Sequence, residues 1–172
     1  MTPTEAEDIR RHLQAAAGSA RRVFEVLQQV QAFVREAPED NKPRLLAELI
    51  VLQESLQNGL NHAGLMIAYA QGAPARTAFF ARTKDTLKNA AASWRLQDII
   101  PVMAATASMV AESLEGVAEL DPFGPIEGAP SKPGPVQTAR YARAHLDSLL
   151  VNLTERANRA FQRKISSRAK PS

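Results

Sequence analysis

From Ile9 to Val34 the apolar residues step by 4, 3, 4, 3, 4, 3 and 4: Ile9, Leu13, Ala16, Ala20, Val23, Leu27, Val30 and Val34. At helical pitch all eight fall within about 100° of arc, so they form one continuous seam. A strand would scatter these positions over both of its faces; a helix gathers them on one. Thr4 followed by Glu7 reads as a capping box that opens this helix, and Ala37-Pro38 closes it. At 1.5 Å per residue the helix is roughly 50 Å long. A seam of that length has to be buried against other helices, of the same chain or of a second one.

The rest of the chain repeats the theme. Asp40 or Asn41 caps a second helix with Pro43 in its first turn. Its stripe, Leu45, Leu49, Leu52, Leu56, Gly59, Ala63, Met66 and Ala70, is again heptad-spaced. Gly59, Ala63 and Gly64 keep its middle slender, and Gln71-Gly72-Ala73-Pro74 stops it. Residues 75–94 read as a shorter helix with Phe80, Leu87, Ala91 and Trp94 on one side, the side of Phe79 being unsettled. Asp98 reads as the next N-cap, because Pro101 then falls in a first turn. From Ile99, the positions Ile100, Met103, Ala107, Val110, Leu114 and Val117 carry a helix to about Leu120.

Residues 121–135 hold five prolines and three glycines, which suit neither a helix nor a central strand. Pro135 opens the last helix, whose seam is Ala139, Ala142, Leu146, Leu150, Leu153, Ala157 and Phe161. The expected fold is all-α: a bundle of four long, mostly antiparallel helices plus one short helix, with a Pro/Gly-rich crossover before the last. Residues 1–172 form one domain, within which 121–135 is a linker and 166–172 a projecting basic tail. Heptad seams also suit pairing between chains, so a homo-oligomer, a dimer, is expected.

Composition removes several chemistries. The chain has no cysteine, which excludes disulfide frameworks, thiol nucleophiles and thiolate metal sites. Its first residues are polar and acidic, unlike a secretory signal. Residues 55–75 carry no formal charge but are interrupted by Gln57, Asn58, Asn61, His62 and Gln71. Residues 99–111 are too short for the roughly 20 apolar residues that a bilayer needs. No membrane span is expected, and the cytoplasm is the expected location.

The net charge of +3 conceals blocks of opposite sign. Residues 1–72 hold 7 cations and 9 anions, residues 73–95 hold 5 and 1, residues 96–135 hold 1 and 6, and residues 136–172 hold 8 and 2. In the last helix Arg156, Arg159, Arg163 and Lys170 lie within about 60° of each other. Lys164 and Arg168 stand where the seam would continue if the core went further, so the core contact is expected to end near Phe161 to Ile165. The other basic block sets Arg76, Arg82, Lys84, Lys88 and Arg95 among Phe79, Phe80 and Trp94. Cations interleaved with aromatics are what single-stranded nucleic acid would need. The acidic ridge Glu112, Glu115, Glu119 is expected to be plain surface, or to pair with Arg140 and Arg143 across the linker.

Catalytic patterns are missing. The residues three before His12, His62 and His145 are Ile9, Gly59 and Ala142, so the Glu-x-x-His pairs of a carboxylate-bridged di-metal bundle are absent. Gly59 and Gly64 have P-loop spacing, but Leu65-Met66 stand where Lys-Ser/Thr belongs. Glu54, Asn58 and His62, at i, i+4 and i+8, form the one candidate ligand cluster, otherwise a polar helix face. No catalytic residue, metal site or cofactor is expected.

The sequence therefore points to a non-enzymatic, self-associating bundle that binds an anionic partner, most naturally nucleic acid such as DNA, through its basic helix surfaces. The alternative is a protein–protein adaptor whose heptad-patterned helices dock a protein partner.

Overall fold

A computed structural model describes residues 2–36, 42–88, 96–120 and 132–169, without the side chains of 36, 86–88, 97 and 160–169. Five helices are described and no strand: α1 (Pro3–Glu36), α2 (Lys42–Gln71), α3 (Ala73–Lys88), α4 (Leu96–Ala118) and α5 (Pro135–Ala169). The all-α bundle expected from the seams is what the chain adopts.

Three helix starts differ from expectation, that of α3 by two residues, at Ala73 rather than Ala75. The Glu5 amide donates to Thr2 Oγ1 at 3.2 Å, so Thr2 rather than Thr4 is the N-cap, with Pro3 at the first helical position. Thr2-x-x-Glu5 is itself a capping-box pattern, two residues ahead of the one expected. Helix α4 likewise opens at Leu96, so Asp98 is an acidic residue of its first turn and Pro101 is taken inside the helix, where it is exposed. The proposed caps Asp40 and Asn41, the linker 121–131 and Trp94 lie outside the described residues.

Helices α1 and α2 each pack along α4 and α5, so α1 and α2 stand at opposite corners of the bundle, and α4 and α5 at the other two. Helix α3 leans on α2 and α4 from outside. The long helices bury the expected stripes: Ile9 through Val34 on α1, Leu45 through Met66 on α2, Ile100 through Val117 on α4, and Ala139, Ala142, Leu146, Leu153 and Ala157 on α5. On α5 Leu149 is fully inside, while Leu150 packs at the edge of the core. Phe79 settles inward at 2 % exposure, and Phe80 lies half-buried over α2.

Paired side chains fix directions and levels. His12 meets Arg143 and Ser19 meets Asp147, so α1 and α5 run parallel. Tyr69 meets Gly134, Ser55 meets His145 and Glu48 meets Arg156, so α2 and α5 run antiparallel. Gly72, at φ 94°, ends α2 with its amide donating to Ala68 O at 2.9 Å, and lets the chain double back into α3.

Candidate functional site

The candidate ligand cluster is only partly a cluster. Glu54 and Asn58 are exposed on α2, whereas His62 is half-buried and turns toward α5. There it meets His145, the ring centroids 5.6 Å apart and the planes inclined by 56°. His145 Nε2 donates to the Ser55 carbonyl at 2.6 Å, a bond that places the proton on Nε2. Burial, then the neighbouring His145, holds His62 below the usual imidazole range. The sequence discloses both histidines but not their contact, because the register that joins them exists only once α2 and α5 pair.

Among the described residues, the basic positions do not form one surface. Arg156 is half-buried and paired to Glu48 at 3.5 Å, at the N-terminal end of α2. Arg76 lies over the Phe80 ring at 5.6 Å, next to the C-terminal end of α2. Those ends are about 36 Å apart along the helix. Arg82 and Lys84 are exposed on α3, where Arg82 lines a shallow groove with Phe79, Thr83, Met109, Glu112 and Ser113. Phe79 faces the core and Phe80 packs on α2, so neither stands free as a stacking platform beside these cations. Arg159 is exposed on α5. Lys88, Arg95, Arg163, Lys164, Arg168 and Lys170, together with the expected end of the core near Phe161, lie outside the described side chains.

The acidic ridge pairs with a different helix from the one expected. Arg21 of α1 holds Glu115 with both arms of its guanidinium, Nη2 to Oε2 at 2.5 Å. Arg143 is taken up by His12 Nδ1 at 3.3 Å and by Asp147 at 3.9 Å. The physical reason is the diagonal placement of α4 and α5, which puts α1 between them. Among the described residues no three His, Cys, Asp or Glu side chains are grouped to hold a metal ion.

One feature escaped the sequence reading. Tyr141, Ala144, Ser148 and Val151 step by 3, 4 and 3 along α5, all are exposed, and none is charged. They form a second seam, on the side of α5 that faces away from the core. Tyr141 at 48 % and Val151 at 55 % are two of its exposed large apolar side chains; Val51, at 57 %, lies on the neighbouring helix α2. The charges of this stretch, Arg143 and Asp147, are both turned to α1, where His12 and Ser19 receive them. The spacing alone could have disclosed the seam, but Ala144 and Ser148 carry no hydropathy signal.

No protein-family model matches the chain, nor does any curated protein or solved structure.

Proposed function

We propose that this protein is a non-catalytic interaction module that self-associates through the outer seam of α5. The carrying observation is the exposed, uncharged 3-4-3 seam of Tyr141, Ala144, Ser148 and Val151 on a helix whose other face is already buried. The occupant is the same seam of a second copy, laid antiparallel about the level of Leu146. In that register Tyr141 of each copy meets Val151 of the other, and the small residues Ala144 and Ser148 let the helices approach at the centre. Charges agree as well: Glu155 of one copy comes within about a turn of Arg140 of the other, and both are exposed. The pattern is thus self-complementary, as a two-fold interface requires.

The seam is short, roughly 15 Å between Tyr141 and Val151. The area it buries is well under the roughly 800 Å² per partner of a stable complex, so the association is transient, with a Kd on the order of 100 μM. Sedimentation equilibrium from micromolar to millimolar chain tests it. Concentration-dependent dimer is expected, and it should be lost when Val151→Asp puts a charge in the seam.

A second reading, an anionic partner such as nucleic acid, is favoured by one observation: α5 continues from Ala157, the last of its described core residues, to Ala169 with Arg159 exposed. Gel-shift titration at 50 mM salt tests it. Each phosphate contact steepens the fall of log K with log salt by about 0.9 on duplex DNA. No shift at 50 mM removes this reading.

A further inference from the structure

We infer that His62 and His145 form a site for one divalent transition-metal ion of the zinc and copper class, bridging α2 and α5. The residues come from different helices and different ends of the sequence, and the seam on α5 plays no part in the site.

Geometry makes the first case. An ion bound to an imidazole nitrogen at about 2.05 Å stands about 3.2 Å from that ring's centroid. Two rings so bound, with centroids 5.6 Å apart, open an angle of about 120° at the ion, close to tetrahedral.

The hydrogen bond on the far side of His145 makes the second. With Nε2 donating to the Ser55 carbonyl, Nδ1 is the ring nitrogen left to meet an ion. Metal-bound histidines are oriented by such a bond to a backbone carbonyl.

The ligand set decides the ion. Residues 55–69 of α2 carry no charged side chain, and imidazole nitrogens suit Zn²⁺ and Cu²⁺ rather than the oxygen-seeking Mg²⁺ or Ca²⁺. Two imidazoles with water in the remaining positions favour Cu²⁺ and Zn²⁺, with a Kd on the order of 10–100 μM.

The test is a calorimetric titration of the untagged full chain with ZnCl₂ at pH 7.5, an affinity tag being a histidine source of its own. One Zn²⁺ per chain is expected, with MgCl₂ giving no heat. His62→Ala leaves the His145–Ser55 bond in place and should weaken Zn²⁺ at least tenfold, while His12→Ala should bind as the wild type does. Lowering the pH to 5.5 should weaken Zn²⁺ as protons compete. Circular dichroism of each variant establishes that it is folded. No Zn²⁺ binding by the wild type up to 1 mM, or wild-type affinity in a folded His62→Ala, would overturn the inference.

Discussion

Gly64 and Phe80 share one volume: a methyl group added at Gly64 would stand 2.8 Å from Phe80 Cε2 and closer still to Cζ. The ring also meets Phe79, at 5.4 Å between centroids, and the Arg76 guanidinium. Glycine at position 64 is therefore what allows α3 to lie against α2. Gly64→Ala should cost about 1–3 kcal/mol, the usual range for overpacking. Gly18→Ala and Gly116→Ala meet nothing within 4 Å and should stabilise their helices by about 0.5–1 kcal/mol. Urea midpoints for the three variants measure the contrast, and a neutral Gly64→Ala would contradict the close packing of α3.

The helix start gives a second contrast. With the Glu5 amide bonded to Thr2, Thr2→Ala should lose about 0.5–1 kcal/mol, whereas exposed Thr4→Ala should be close to neutral. Hydrogen exchange at the first amides of α1 reads the difference. Equal protection in the two variants would speak against Thr2 as the cap.

Acid should loosen the bundle as His62 and His12 take up protons. His62 is held below the usual 6.5 by burial and by His145; His12 is held below it by burial and by Arg143. A lowered folded pKa means that the unfolded chain takes up the proton first. The stabilisation is complete above about pH 6.5 and is lost as pH falls below it, toward the folded pKa values. Glu115, held down by Arg21, acts only below its usual 4.5, outside this window. The Tm should therefore fall between pH 7.5 and pH 5.5, and His62→Gln should flatten that fall. A Tm independent of pH over this range would contradict the burial of these rings.

Which features of the fold are legible in the sequence depends on the kind of information each one needs. The core seams were legible because heptad spacing is local and each apolar residue advertises its own burial, as Ile9 through Val34 do. Caps were less legible, since Thr2 and Thr4 both offer a hydroxyl three residues before a glutamate, and only the bond from the Glu5 amide separates them. Pairings across helices were not legible at all. Arg21 with Glu115, and His62 with His145, depend on which helices are neighbours and in what register. The diagonal placement of α4 and α5 overturned the pairing of Glu115 with Arg143 for that reason. The basic blocks were visible as charge, yet Glu48 on Arg156 and the Phe80 ring under Arg76 engage two of those cations within the fold.

The central claim, that the outer seam of α5 pairs with itself, is tested most directly by disulfide trapping. The chain has no cysteine, so Tyr141→Cys and Val151→Cys each introduce a single reactive site. Mixed in equal amounts under mild oxidation, the two variants should cross-link to each other faster than either does to itself. Antiparallel pairing brings position 141 against position 151, and holds like positions about 15 Å apart. Mixed and self cross-links formed at equal, slow rates would contradict the account.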